Sequence, residues 1–299
     1  MKIGVISDIH SNLPALQACI RYLEAEGCSV YFFLGDYVSD TPYTRETMDC
    51  LYGFFGTHTC RVLRGNREEY MLSQRMALKN GVQEQIWRYN SASGNLLYAY
   101  EQLTEEDFDF FESLPITFDY TEEGYPGIRC CHGSPENTRE LVRFGEDRVK
   151  YWLDRTPYRY LICAHTHCPG EFEYHGKQCF NPGCVGIAIN DPGFAQCLML
   201  EDTAVNGEVC WRPSFLRVPY DNKKVVEDMV SGGLLEKGAW FINGNIQILL
   251  TGKDCSAQMV GMACRLSEQA GETAVWPLID EKYFAQAARA LGISDWRKR

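Results

Sequence analysis

No apolar run in this sequence reaches the roughly 20 residues a helix needs to cross a bilayer, so no membrane-spanning helix is expected. Positive charge is also scarce. Lys and Arg number 29 against 40 Asp and Glu, and the formal net charge of -11 offers no field to hold a long nucleic acid. Internal repeats and low-complexity tracts are missing, which excludes solenoid and linker-like architectures. Cysteine is plentiful at 14, yet in 299 residues this lies far below the density of a disulfide scaffold. Scattered through apparent core strands and helices, these residues read as reduced, packed thiols. The opening run Lys2 to Ser7 is strand-like, too short for a signal h-region and without a small-residue cleavage site. The expectation is a cytoplasmic protein.

What is present reads as globular: 45% hydrophobic and 13% aromatic residues, in a length that suits one large α/β unit or a domain of about 200 residues with an appendage. Strand one ends near Ser7, and Ser11-Asn12-Leu13-Pro14 starts a helix whose Leu16, Cys19, Ile20 and Leu23 recur at helical spacing. Val30 to Leu34 is a second strand closing on Gly35-Asp36, which completes a β-α-β unit. Helix is expected over Thr41 to Tyr52, a third strand over Thr59 to Leu63, and an inserted helical layer over about residues 68–113, with one segment from Val82 to Tyr100. Strands follow at Ile116 to Tyr120, Gly127 to Cys131 and Tyr158 to Cys163. Four shorter runs, Glu171 to His175, Lys177 to Phe180, Ala195 to Leu200 and Trp211 to Val218, suggest a second sheet packed on the first. Beyond residue 220 the pattern turns helical over Asn222 to Val230, Cys255 to Gln269 and Glu281 to Leu291, with strand-like Ile246 to Leu250 between the first two. The expected division is therefore a domain over 1–220 and a mostly helical extension over 221–299, serving as a lid over the site or as a homo-oligomer face.

Seven residues of metal-ligand type sit at the ends of apolar runs: Asp8, His10, Asp36, Asn66, His132, His165 and His167. Each alone has a bland explanation in a solvated carboxylate, a capping amide or a satisfied core imidazole. Their joint order is what carries information. Strand ends are where loops converge in open α/β sheets, and a two-metal centre needs hard carboxylate oxygen, imidazole nitrogen and one carboxylate able to bridge the ions. Asp8 and His10, two apart, can pinch one ion, and Asp36 is the natural bridge. Two divalent cations would polarise a phosphoryl oxygen and acidify a shared water, producing hydroxide for in-line attack. His58, before a strand, and His175, at a hairpin turn, read as non-ligands. Cys130, Cys131, Cys163 and Cys168 fit no structural zinc spacing.

The order D-x-H, G-D, G-N, H-G and H-T-H, with Ile6 to Asn12 and Asn181-Pro182-Gly183-Cys184-Val185-Gly186, resembles the calcineurin-like metallophosphoesterase superfamily, especially its small bacterial phosphodiesterase branch. The resemblance covers roughly residues 1–200. It implies a four-layer α-β-β-α sandwich of two mixed sheets. It also implies a first metal held by Asp8, His10, Asp36 and His167 and a second by Asp36, Asn66, His132 and His165. Mn, Fe or Zn head the metals that suit this donor set, with Co and Ni also compatible. The implied activity is hydrolysis of a small phosphodiester, nucleotide or phosphomonoester, with Asp36 and Asn66 in catalytic roles. Protein phosphatase and dinucleoside polyphosphate hydrolase are alternatives within the same chemistry, and a non-catalytic protein-binding scaffold is the alternative of another class. Many relatives follow the Asn with His, where this chain has Arg67. Arginine cannot serve as general acid near neutral pH but can clamp a phosphate oxygen; a structural pairing with Glu68 or Glu69 is the competing expectation. Asn12 is expected either to contact substrate or to cap the first helix. Cys184 stands where relatives often have Ser, in a Gly-rich loop bordering the site.

Overall fold

The computed structural model describes residues 1–272 and 274–298. The first half runs β1 (Lys2–Ile6), α1 (Leu13–Ala25), β2 (Val30–Leu34), α2 (Thr44–Phe55), β3 (Cys60–Leu63), α3 (Asn66–Asn80), α4 (Gly94–Tyr100), α5 (Glu105–Ser113), β4 (Thr117–Tyr120) and β5 (Ile128–Cys131). There follow α6 (Asp147–Arg155), β6 (Tyr160–Cys163), β7 (Gly170–Tyr174), β8 (Lys177–Asn181), β9 (Phe194–Val205) and β10 (Glu208–Pro219). Four helices close the chain: α7 (Asn222–Ser231), α8 (Leu234–Thr251), α9 (Ser256–Gln269) and α10 (Glu281–Ala290).

Two mixed five-stranded sheets form the centre, in the orders β10-β9-β1-β2-β3 and β4-β5-β6-β8-β7. Alternation along each strand explains the layering. From β1 and β2, Ile3, Val5, Phe32 and Leu34 face the second sheet and meet Ile128, Cys130, Tyr160 and Ile162. The opposite side chains, Ile6, Tyr31 and Phe33, pack beneath α1 and α2 with Leu16, Leu23 and Leu51. On the far side, Cys131, Leu161 and Cys163 cover Trp152 and Leu153 of α6. The result is the four-layer α-β-β-α sandwich that the resemblance implied.

Several local expectations are corrected. The runs after residue 170 do not make one sheet: β7 and β8 extend the second sheet, whereas β9 pairs antiparallel with β1, Leu198 opposite Val5, and carries β10 at the edge of the first. Residues 82–100 are not one helix. Asn90 Oδ1 accepts from the backbone N–H of Ala92 and Ser93, a turn that competes with helix and delays α4 to Gly94. The run Ile246 to Leu250 lies inside α8, because Ile242, Ile246 and Leu249 share a helical face buried in the terminal cluster. A short apolar run alone does not separate strand from buried helix. Similarly, α2 starts at Thr44 because Ser39 and Asp40 take left-handed backbone, and Thr41 Oγ1 donates to His10 O at 2.7 Å.

The terminal helices have their own apolar cluster, which Tyr43, Ala92 and Tyr98 join from the rest of the chain. Polar ties reinforce the contact. Ser91 Oγ donates to Glu281 at 2.6 Å and accepts from Trp240 N at 2.9 Å, just after a break in α8 where Ala239 has φ of 44°. Among the described residues no helix is long and apolar enough to cross a membrane.

Candidate metal centre

Five strands deliver the candidate ligands, all at carboxyl ends: β1 leads to Asp8 and His10, β2 to Asp36, β3 to Asn66, β5 to His132, and β6 to His165 and His167. The edges of the two sheets meet there, and the seven side chains converge. His10 Nε2 lies 3.2 Å from His167 Nε2, which is 3.3 Å from Asp8 Oδ1. His132 Nε2 lies 3.4 Å from Asp36 Oδ1 and 3.0 Å from Asn66 Oδ1. Ligand atoms of Asp8, His10 and Asp36 cluster within 4.8 Å of one another, as do those of Asp36, His132 and His165. Asp36 belongs to both groups, the geometry a bridging carboxylate requires.

The backbone is bent to achieve this. Asp8, His10, Asp36, His165 and His167 all adopt positive φ, between 50° and 64°. Such conformations cost on the order of 1 kcal/mol or more each for residues with a Cβ and cluster where function demands them. Ala164 is outside this set, so its methyl group is accommodated without backbone strain. Gly65 is required for another reason: a Cβ there would lie 2.3 Å from Asp36 Oδ1.

Two imidazoles are aimed by the same device. Nδ1 of His132 faces Leu34 O at 2.7 Å and Nδ1 of His167 faces Ile187 O at 3.3 Å. A carbonyl only accepts, so both Nδ1 atoms carry the proton and Nε2 turns inward. In His10, Nδ1 faces Asp40 Oδ2 at 3.0 Å. Asp40 escaped the sequence reading, having no spacing rule to mark it. It is buried, and the same oxygen accepts from Arg67 Nη2 at 2.8 Å. Burial would raise its pKa, but the Arg67 guanidinium and His10 hold it at about 2. We expect Asp40→Ala to weaken Mn²⁺ affinity about 10- to 100-fold in calorimetric titration; unchanged affinity would show that His10 needs no orienting partner.

Glu68 was also missed as a site residue. It is fully buried, and its carboxylate accepts from the backbone N–H of Asp36 at 2.9 Å, Gly65 at 2.8 Å and Tyr37 at 2.8 Å. The ends of β2 and β3 are thus pinned through one side chain. Burial and the neighbouring Asp36 charge push this carboxyl up to about 7, against the pull of the three N–H groups. Arg67 corrects the pairing expected with Glu68 or Glu69: its partners are Asp40 and, at 3.9 Å, Asp36. Its own backbone N–H donates to Asp36 Oδ1 at 2.8 Å.

Asn12 does not face the cavity. It is fully buried, caps α1 by accepting from Ala15 N, and donates to Gly186 O at 2.8 Å. The expected substrate contact is replaced by a structural tie. Asn181 holds the His165 loop by donating to Ala164 O at 2.9 Å. Cys184 comes closer than a border position: its sulfur falls in one group with His10 and His167 nitrogens, and it donates to Asp8 O at 3.1 Å. His58 and His175 pair with Glu24 and Asp154, away from this cluster.

The electrostatics fit bound cations. Asp8, Asp36, Asp40 and Glu68 are all buried, with Arg67 the guanidinium among them. Burial would raise Asp8, yet His167 holds it at about 2; burial likewise opposes Asp36, which His132 keeps far below the carboxylate range. The imidazoles answer this negative charge. Against burial, Asp36 lifts His132 to about 9, whereas burial and the charge of His132 press His165 down to about 4. Asp8 Oδ1 remains buried with no hydrogen-bond partner. Carboxylate oxygens among inward imidazole nitrogens are the donor set of a hydrolytic metal site. In front of it lies a cavity of about 310 Å³, whose lining includes Asp40, Arg67, His165 and His167.

Comparison with known proteins agrees with this geometry. The sequence profile of the calcineurin-like phosphoesterase family matches residues 1–169. An uncharacterized protein of Methanocaldococcus jannaschii is 26% identical over 250 residues, spanning 78% of this chain and 94% of its own. A solved hypothetical protein of Pyrococcus horikoshii OT3 superposes with a TM-score of 0.67 at 21% identity, covering 85% of this chain and 99% of its own. A metallophosphoesterase from Sphaerobacter thermophilus gives 0.63 at 20% identity, covering 84% of this chain and 100% of its own. These two likenesses speak to the fold.

Proposed function

The chain belongs to the calcineurin-like phosphoesterase family, and from that premise we propose that it hydrolyses small phosphodiesters at a centre of two divalent cations. The observation that carries the reading is the convergence of seven ligand-type side chains, with Asp36 common to two groups and His165 and His167 lining the adjoining cavity. Asp8, His10, Asp36 and His167 would hold one cation, and Asp36, Asn66, His132 and His165 the other. Bound there, the cations supply Lewis-acid polarisation of a phosphoryl oxygen and acidification of a water.

The chain's own residues do the rest. Asp40 and the Leu34 and Ile187 carbonyls keep imidazole protons on the outer nitrogens. Arg67, anchored by Asp40 through Nη2, lies in the cavity wall. It clamps a phosphate oxygen and offers no proton to the leaving group, since its pKa is raised further by Asp40 and Asp36 against burial. The enzyme accordingly favours esters whose leaving group needs little protonation, such as aryl or nucleoside phosphates. Changing Arg67→His should raise KM for an aryl phosphodiester severalfold; a KM unchanged with turnover within about twofold would remove the clamp. Helices α8 and α9 stand across the cavity, which favours a small substrate over a protein one.

The test is hydrolysis of bis-p-nitrophenyl phosphate by metal-stripped protein titrated with Mn²⁺. The expected result is no turnover without metal and saturable recovery with it. Folded protein inert with Mn²⁺, Fe²⁺, Zn²⁺, Co²⁺ and Ni²⁺ alike would overturn the reading and return the scaffold alternative.

A further inference from the structure

The family profile ends at residue 169, yet one wall of the cavity is built by residues far beyond it: Phe241, Asn245 and Ile248 of α8 and Ser256 and Ala257 of α9. This wall is where substrate choice can reside, because the rest of the lining includes the candidate ligands His165 and His167 beside Arg67, Asp40 and Arg143. We propose that α8 and α9 form a nucleobase subsite, so that the substrate is a phosphodiester of a single nucleoside. The inference rests on the phosphodiesterase reading and adds the identity of one ester group.

Two observations point to a planar heteroaromatic ring. First, the wall is apolar, with Ile248 of α8 and Ile187 and Ile189 of the loop after β8 joining Phe241. Phe241 also lines a neighbouring cavity together with Arg67, so its ring is reachable beside the phosphate clamp and suits stacking. Second, Asn245 is only 2% exposed, and its Oδ1 is committed to Ser256 Oγ at 2.7 Å. Its Nδ2 has no partner, a buried donor whose unmet cost a ring nitrogen or carbonyl of the base would relieve. A volume of about 310 Å³ lies at the small end of ligand pockets.

The experiment compares two esters with one leaving group, thymidine 5′-(p-nitrophenyl) phosphate and methyl p-nitrophenyl phosphate, on Mn²⁺-loaded protein. The expected result is a kcat/KM ratio favouring the nucleoside ester that falls about tenfold in Phe241→Ala and recovers in Phe241→Tyr. Ala257→Trp, an exposed change at the start of α9, should lower the ratio by filling the slot and needs no core repacking. Calorimetric binding of thymidine 5′-monophosphate should weaken in parallel in Phe241→Ala and Ala257→Trp. A ratio and an affinity unmoved by both variants would overturn the subsite. Binding that depends on Phe241 without turnover of either ester would keep the subsite and overturn the phosphodiesterase reading instead.

Discussion

Asp36→Asn is expected to lower kcat/KM for bis-p-nitrophenyl phosphate by about a thousandfold or more. The substitution is nearly isosteric and keeps an oxygen for the Arg67 backbone N–H, now at 2.8 Å. What it removes is the charge common to both ligand groups. The carboxylate is buried and faces His132, His10 and Arg67, so its loss leaves those groups without the negative charge they surround. The folded protein should survive, since the three Glu68 bonds that position this loop do not involve the Asp36 side chain. Mn²⁺ stoichiometry by calorimetry should drop from two to one or fewer, while the circular dichroism spectrum is unchanged. Retention of a tenth of wild-type turnover would exclude Asp36 as the bridge.

Glu68→Ala should destabilise the fold by about 3 kcal/mol, read as a lower urea midpoint with little change in slope. It strands three buried backbone N–H groups in the loops that carry Asp36 and Asn66. Each unsatisfied group costs about 1 to 3 kcal/mol, and groups sharing one partner do not add fully. Glu68→Gln should cost less, because one amide oxygen still accepts while the NH₂ opposes a donor. The effect should grow in Mn²⁺-loaded protein: cations beside Asp36 offset the carboxylate repulsion that pushes Glu68 up to about 7. A loss below about 1 kcal/mol would mean water reaches these N–H groups.

The structure separates what was legible in the chain from what was not. The β1-α1-β2 unit was readable because its signals are local: strand-like runs over Lys2 to Ser7 and Val30 to Leu34, a cap at Asn12, and helical spacing of Leu16, Cys19 and Leu23. The convergence of Asp8, His10, Asp36, Asn66, His132, His165 and His167 was legible for a related reason, since each follows the end of an apolar run. Asp40 and Glu68 were not. Both act on residues distant in sequence, and a lone carboxylate in a loop or at a helix start carries no local mark of such a partner. Asn12 shows the converse: its capping signal was visible, and the bond to Gly186 that uses up its amide was not.

By itself, then, the sequence determined the β-α-β succession and the ligand types at the strand ends, because apolar runs, helical spacing and strand termination are set by neighbours a few residues apart. The tertiary structure alone decided that β9 joins the first sheet rather than the second, since register there depends on Leu198 meeting Val5 across the chain. It alone decided that Ile246 to Leu250 is helix and that Arg67 turns to Asp40. It also set α8 and α9 against the cavity, through burial of Ile242, Ile246 and Leu249 and the Ser91–Glu281 tie. The physical reason is common to all of these. Burial and pairing between distant segments outweigh local preference by more than the fraction of a kcal/mol per residue that preference is worth.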